Sequence, residues 1–584
     1  MSQKIANFGE EFICIMERSD INNIMTTTHD SCNILADLLV AYGVKYAIIS
    51  PGSRNAPITF ALSSRDEIKK YVIVDERSAA FAALGMAQHS NFPVALVCTS
   101  GSAVLNYAPA IAEAYYQQLP IIIISADRPH EWIDQNDSQT IRQSHVLSNI
   151  VKNSYNIASN NYDEKSRWYN NRIINDALYS AISLPYGPVH LNVELDEPLY
   201  NRKPFELSSA KLVKRVKTDI NTGFIDEMAD KVNSCSKVLV FASMHKASKE
   251  LSDSLNAISN GNIVVLSEIT SNCHGKNIIY NIDRIFSDMT DDDWLRLKPE
   301  LLITFGGAPV SRLAKTFLRK CNGITHWRIG SEKHLIDTFK NITESVEITP
   351  SIFFEYIKLH LNCAGQYNNL WREFINQTNI SHSSYVKNAP WSDLKAMDII
   401  MNSIPSNGVN LQLSNGSSIR YADITAMPNE FIGTIHCNRG VSGIDGSTST
   451  TLGASLVCED ATTLLITGDM SFGYDLSGLA SQYNSSKLKI IVLRNGGGSI
   501  FRFINGPTEL PEFEKYFEVK QDIPVNKYAA AFGFDYFEAN NEIMLKEQLV
   551  LLFDNQAPSI LAVNTDNIVS ASVLKGYYNK NNNK

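Results

Sequence analysis

At 584 residues the chain exceeds what one hydrophobic core usually supports, so about three domains of roughly 150–200 residues each are expected. A hydrophobic content of 44% with 19% charged residues excludes a largely disordered chain. The net charge of −9 excludes the clustered basic surface of a nucleic-acid binder, so an anionic ligand would have to be held by a local group of arginines.

Residues 1–24 contain Glu10, Glu11, Glu17 and Asp20, which interrupt a signal-like apolar stretch and disfavour a transit peptide. They are expected to be a loosely held extension ahead of an alternative start at Met25. The segment Thr26-Thr27-Thr28-His29-Asp30 is placed to cap a helix through residues 33–42. Over residues 25–205, helical periodicity alternates with short apolar runs at 46–50, 71–74, 94–99, 121–126 and 189–193. Runs without polar alternation are the mark of strands covered on both faces, as in a parallel sheet wrapped by helices. A polar, lysine-rich stretch at 201–217 reads as a linker. A second α/β series, over 218–376, has strands at 237–241, 263–266, 301–305 and 326–329; a weakly patterned segment, 377–390, follows it. The third series, over 391–570, has strands at 409–413, 433–437, 463–467, 489–493 and 559–563. Residues 571–584 are expected to be a polar tail, Asn/Lys-rich and disordered from Asn579 onward. The fold class is α/β, with three doubly wound parallel-sheet domains. No apolar run approaches the roughly 18 residues that cross a bilayer. The nine cysteines form no CxxC pair, and reduced thiols in a soluble, cytoplasmic protein are the simplest reading.

Two distant stretches carry the chemistry. Asp469 follows the strand at 463–467 and so sits at a carboxyl end, where open α/β sheets bind ligands. Asn495 lies 26 residues later, directly after the strand at 489–493, so a helix and a strand return the chain to the same sheet edge. Magnesium takes oxygen ligands in near-octahedral geometry, using one or two protein groups with phosphate oxygens and water. Asp469, Asn495 and a carbonyl near Gly497 suit Mg2+ or Mn2+ beneath a diphosphate. The plainer alternative is that Asp469 caps a helix and the glycines close a loop. Near the amino terminus, Ser50-Pro51-Gly52-Ser53-Arg54 forms a turn over strand ends. Glu76 is expected to end the apolar run 72–74 as a buried carboxylate, which is costly without a partner. A ligand nitrogen would satisfy it; an ion pair with Arg77 is the structural alternative. Together the two stretches read as thiamine diphosphate chemistry.

The chain resembles the 2-succinyl-5-enolpyruvyl-6-hydroxy-3-cyclohexene-1-carboxylate synthases, thiamine-diphosphate-dependent enzymes of the menaquinone pathway. The motifs are SPGSRNAP from Ser50, DER from Asp75, TSGSAVLN from Thr99, ADRP from Ala126, SQTIRQ from Ser138, NRGVSGIDG from Asn438, GDMSF from Gly468 and GGGSIF from Gly496. The resemblance implies a pyrimidine-binding domain, a central domain and a diphosphate-binding domain in that order. It implies active sites between the subunits of a homodimer or homotetramer, with neither nucleic acid nor membrane as partner. It also implies decarboxylation of 2-oxoglutarate and conjugate addition of the succinyl carbanion equivalent to isochorismate.

Site roles follow from the same resemblance. Glu76 would hydrogen-bond the aminopyrimidine ring, and Ile444 would wedge beneath the cofactor. Gly468, Asp469, Met470, Ser471, Asn495, Gly497 and Ile500 would surround it. Arg54, Arg128, Arg420, Arg439 and Arg312 would hold substrate carboxylates, with Ser53 and Gln139 as polar contacts. Ile500, Phe501 and Ile504 would form an apolar wall. The sequence departs from the commoner pattern at Ser414-Asn415-Gly416-Ser417, where many relatives show Gly-Asn-Ser, so a contacting hydroxyl is lost or falls to Ser417. Arg494-Asn495-Gly496 replaces an Asn-rich run, leaving Asn495 as one clear amide ligand, and Met470 stands where other branches have glycine. The rivals are a thiamine-dependent carboligase using pyruvate or another 2-oxo acid, which would not need the arginine set, and a degenerate binding module that keeps only the fold.

Overall fold

Strands buried on both faces need apolar side chains pointing both ways, and the runs read from the sequence form such strands. The computed structural model describes residues 24–158, 163–213, 223–425, 432–458, 460–503 and 506–579. The chain separates into two compact units, residues 1–217 and 218–584.

In the amino-terminal unit the strands are β1 (Met25–Thr27), β2 (Tyr46–Ile49), β3 (Lys69–Val72), β4 (Val94–Cys98), β5 (Ile121–Asp127), β6 (Asn153–Ile157), β7 (Val189–Glu194) and β8 (Arg202–Pro204). A six-stranded parallel sheet has the order β3-β2-β4-β5-β7-β6. Its core packs Ile34, Leu38 and Leu39 of the helix Asp30–Ala41 and Ile174 and Leu178 of the helix Glu164–Ile182 against Val97, Ile122, Ile124 and Leu191.

In the carboxyl-terminal unit the strands are β9 (Val238–Ala242), β10 (Ile263–Ser267), β11 (Leu301–Phe305), β12 (Thr325–Gly330), β13 (Glu344–Glu347), β14 (Asn407–Leu413), β15 (Ile432–Cys437), β16 (Thr463–Gly468), β17 (Leu488–Arg494), β18 (Asp535–Ala539) and β19 (Ser559–Asn564). They make a five-stranded sheet, β10-β9-β11-β12-β13, and a six-stranded sheet, β15-β14-β16-β17-β19-β18, both parallel. The α/β class expected from the sequence is therefore the observed one. Both six-stranded sheets share one order: the first strand is flanked by the second and third, and the chain reverses direction across the sheet between them. That reversal opens a crevice at the carboxyl ends of the strands, the usual ligand position in open α/β sheets.

Several local expectations are corrected. Residues 25–27 are a strand paired antiparallel with Arg202–Pro204, so the stretch expected to be a linker from residue 201 begins with sheet. Thr26 and Thr27 are fully buried in it, and the helix starts at Asp30 without a side-chain cap from His29. Residues 377–388 belong to the helix Tyr367–Asn388. Its inner face includes Thr378 and His382, polar residues that blur the periodicity, and His382 bonds to the Tyr577 hydroxyl at 2.9 Å. The helix Asn567–Tyr578 buries Ala571, Val573, Leu574 and Tyr577, so the expected polar tail does not begin at residue 571.

Candidate active site

In the amino-terminal unit the motif loops lie at the carboxyl ends of the parallel strands. Ser50 closes β2: its N–H donates to the Val97 carbonyl at 2.8 Å and its hydroxyl to the Ile73 carbonyl at 2.9 Å. Asn55 Nδ2 donates back to the Ser50 carbonyl at 2.9 Å, which makes the SPGSRN turn a closed loop. Gly52 packs so tightly against β4 that a Cβ there would stand 2.3 Å from Thr99 Cβ. Ser53 is exposed on this turn and Arg54 is buried. The Arg54 guanidinium donates to the Leu195 carbonyl at 3.0 Å, just beyond β7. Burial, with the charge of Arg128 added, lowers its pKa.

Arg128 follows β5, donates to the Ser138 carbonyl at 2.9 Å and pairs with Asp137 at 2.9 Å. Those contacts hold the SQTIRQ segment, in which Gln139 is exposed with a φ of +54°. A Cβ on Gly101 would come within 3.4 Å of the Gln139 backbone, so this segment lies directly on the TSGS turn.

Glu76 is corrected in one respect. The strand ends at Val72, Glu76 opens the helix Glu76–Ser90, and its side chain is half-buried rather than enclosed. β3 is an edge strand, and Val72 and Val74 at its carboxyl end are 44% and 76% exposed. Asp75 caps the helix by accepting the Ser78 N–H at 3.0 Å. A carboxylate in the first helical turn is favoured by the helix dipole. The Glu76 charge also bears on the buried Cys98 and Tyr107, whose pKa values are raised chiefly by their own burial.

In the carboxyl-terminal unit, β16 and β17 pair up to Gly468 opposite Leu493, which sets Asp469 beside the Asn495–Gly497 loop. Asp469 is 2% exposed; its two oxygens accept the N–H groups of Gly496 at 2.7 Å and Met470 at 2.8 Å. Burial is the main cause that pushes its carboxyl up to about 6. Asn495 Nδ2 donates to Asp393 Oδ2 at 2.8 Å and to Ser499 Oγ at 3.0 Å. Its Oδ1 is buried without a hydrogen-bond partner among the described residues. Gly497 has a φ of +153°, and a Cβ there would meet the Glu518 carbonyl at 3.0 Å, so only glycine fits.

Ile444 rides on the NRGVSGIDG loop. Its carbonyl accepts the Ser471 hydroxyl at 2.9 Å, while its side chain stays 37% exposed, a pinned backbone presenting an unpacked apolar group. Ser417 is half-buried at the start of the helix Ser417–Ile424. Ile500 and Phe501 are half-buried in the short helix Ile500–Phe503, with Phe501 edge-on to Phe517 at 6.0 Å. Ile504 lies outside the described residues.

The arginines of this unit gather. Arg420 is lowered in pKa by burial, opposed by Asp283, while Arg439 and Arg312 add like charge. Arg439 donates to Asn415 Oδ1 at 3.3 Å, and Arg312 is exposed at the start of the helix Arg312–Lys320. The Nε groups of Arg420 and Arg439 are buried and lack partners among the described residues. Buried guanidinium donors left open are suited to bidentate carboxylates.

Residues 30–146 match the thiamine pyrophosphate enzyme N-terminal TPP binding domain, and residues 417–563 match the corresponding C-terminal TPP binding domain. The chain is 39% identical over 538 residues to the 2-succinyl-5-enolpyruvyl-6-hydroxy-3-cyclohexene-1-carboxylate synthase of Flavobacterium psychrophilum, covering 92% of this chain and 96% of that protein. The synthase of Flavobacterium johnsoniae is 39% identical over 551 residues, 93% of this chain and 97% of that protein. The synthase of Porphyromonas gingivalis is 36% identical over 559 residues, 94% of this chain and 96% of that protein. The chain belongs to this synthase family. It is a thiamine-diphosphate-dependent enzyme.

The residues present fit the synthase cofactor. A buried amide oxygen without a partner among the described residues, next to a buried carboxylate, offers the oxygen donors that a hard cation would need. Among the described residues there is no cluster of three or more His, Cys, Asp or Glu for a metal, so carboxylate, amide and carbonyl oxygens are the available donors. Sequence reasoning missed four contributors. Gln143 is 1% exposed and ties the TSGS turn to β5 and β7 through Gly101 N–H at 3.1 Å, the Ala126 carbonyl at 2.9 Å and Asn192 Oδ1 at 2.7 Å. Its signal was membership of the SQTIRQ motif. Asn415 donates to the Gly443 carbonyl at 2.8 Å and to the Asn438 carbonyl, pinning the Ile444 loop. Lys315, lowered in pKa by burial and next by the charge of Arg439, joins the arginine group one helical turn beyond Arg312. Asp393, which holds Asn495, carried no motif at all.

Proposed function

We propose that this synthase grips thiamine diphosphate between Glu76 and a Mg2+ or Mn2+ ion held by Asp469, Asn495 and the Gly497 carbonyl. Its reaction releases carbon dioxide from 2-oxoglutarate and adds the remaining succinyl unit to the unsaturated ring of isochorismate, a step of menaquinone biosynthesis. When bound, thiamine diphosphate supplies the electron sink for the decarboxylation. The chain supplies the rest. Glu76 hydrogen-bonds the aminopyrimidine ring nitrogen and holds the proton there. Ile444 supports the cofactor from below. Arg54, Arg128, Arg312, Arg420 and Arg439 orient the substrate carboxylates, with Ser53, Gln139 and Ser417 as polar contacts and Ile500, Phe501 and Ile504 excluding water. The cofactor-binding surface also takes in Gly468, Met470 and Ser471.

One observation supports diacid substrates over pyruvate: two buried guanidinium groups, Arg420 and Arg439, have Nε donors without partners among the described residues, which suits more carboxylates than the single one pyruvate carries. No helix among the described residues is long and apolar enough to cross a membrane, and no disulfide forms among them. The enzyme is proposed to work in the cytoplasm as a homodimer or homotetramer whose active sites draw on two subunits. The test is product identification by mass spectrometry with thiamine diphosphate, Mg2+ and isochorismate, offering 2-oxoglutarate or pyruvate. Glu76→Gln should lower 2-oxoglutarate decarboxylation by roughly a hundredfold or more; undiminished turnover removes Glu76 from its role, and an adduct from pyruvate alone removes the substrate assignment.

A further inference from the structure

Asn495 can serve a cation only through its oxygen, yet an amide rotated by half a turn would offer two N–H groups in its place. What fixes the rotation is on the far side of the side chain. Both amide hydrogens are taken, by Asp393 Oδ2 at 2.8 Å and Ser499 Oγ at 3.0 Å. Turning the amide over would press its oxygen against the Asp393 carboxylate, which only accepts. Asp393 is itself anchored. It is 1% exposed at the start of the helix Asp393–Ser403, its N–H donates to Ser570 Oγ at 3.0 Å, and its Oδ1 accepts the Thr565 hydroxyl. A buried carboxylate held from the end of β19 thus faces a side chain at the end of β17, and the partnerless Asn495 Oδ1 is left free for a cation.

We propose that Asp393 is a positioning residue for the metal site: by accepting the Asn495 amide N–H it holds the amide oxygen toward the cation that binds the cofactor diphosphate. This rests on the reading of Asp469, Asn495 and Gly497 as the metal ligands. Asp393 touches neither metal nor substrate. It acts through Asn495.

The test is Mn2+ affinity of the full-length protein with thiamine diphosphate, read from the electron paramagnetic resonance of free Mn2+, together with the melting temperature without cation. Asp393→Ala should weaken Mn2+ binding about tenfold or more. Asp393→Asn keeps an oxygen for the Asn495 amide, and the Thr565 hydroxyl can turn to accept, so its affinity should stay close to that of the parent. Wild-type affinity in a cooperatively folded Asp393→Ala protein overturns the proposal, and so does an equal loss in both variants. A volume-conserving pair covers an alanine variant that does not fold. Asn495→Asp should bind Mn2+ poorly because its carboxylate faces that of Asp393, and adding Asp393→Asn should restore binding; absence of rescue overturns the proposal. Asn495→Ala separates the two readings. If it leaves Mn2+ binding intact, the ligand assignment itself is wrong, whereas loss there with none in Asp393→Ala removes only the positioning role.

Discussion

Gly52 shows how narrow the tolerance is at single positions in this enzyme. Its backbone lies in an ordinary region, so the demand for glycine comes from space alone: any Cβ would overlap Thr99 Cβ at 2.3 Å. The approach brings the turn bearing Ser53 and Arg54 onto the end of β4, where the TSGS turn begins. Gly52→Ala should destabilise the protein by about 1–3 kcal/mol, as overpacking does, and displace Arg54. The measurements are the melting temperature and the KM for 2-oxoglutarate, and Thr99→Gly in the same chain should recover both. Failure of that second change to help would mean that Gly52 is needed for something other than room. Turn residues of this kind were legible because tight turns draw on few residue types. Asp393 was not legible, and the motif stretches that hold Gln143 and Asn415 did not disclose their contacts, since a buried amide or carboxylate takes its role from partners far away in sequence.

At the scale of elements, strands covered on both faces announce themselves, and all the expected runs fall within or next to an observed strand. Apart from the paired β1 and β8, the strands that escaped notice were β6, β13 and β18, each at the edge of its sheet. Edge strands keep one side open to water, so Asn153–Ile157, Glu344–Glu347 and Asp535–Ala539 carry polar residues and no apolar run. Next to one such edge, the sheet holds a buried histidine. His190 on β7 is fully buried between Ser125 of β5, at 2.7 Å from Nε2, and Ser154 of β6, at 3.3 Å from Nδ1. Burial, with a smaller contribution from His145, lowers its pKa to about 3. The unfolded chain binds a proton at this ring below about pH 6.5, and the folded chain does not until about pH 3, so the stability difference shrinks as pH falls through that window. Between pH 7 and pH 5.5 the loss from this group is about 1 kcal/mol. Urea unfolding midpoints at the two pH values should therefore lie closer together in His190→Gln than in the parent. Equal separations would assign the acid sensitivity to other groups.

The two six-stranded sheets repeat one strand order, and in each the motif residues follow the carboxyl ends of parallel strands. In the proposed site Glu76 belongs to one of these sheets and Asp469 and Asn495 to the other, so the proposal requires residues of both sheets at one cofactor. Val74 beyond the end of β3 is 76% exposed, which accords with the proposal that another subunit completes the site. The proposed sharing of sites between subunits has a countable consequence. Glu76→Gln and Asp469→Ala should each be nearly inactive, and their defects lie in different sheets. If sites are built from two subunits, a mixed dimer carries both substitutions in one site and none in the other. Co-expression of the two variants in equal amounts, with random pairing, should then restore about a quarter of the parent activity, because about half of the dimers are mixed and each has one intact site. If each subunit completes its own site, every site in the mixture keeps one defect and no activity returns. Purification through two different affinity tags, one on each variant, isolates the mixed dimer, whose activity should rise to about half that of the parent.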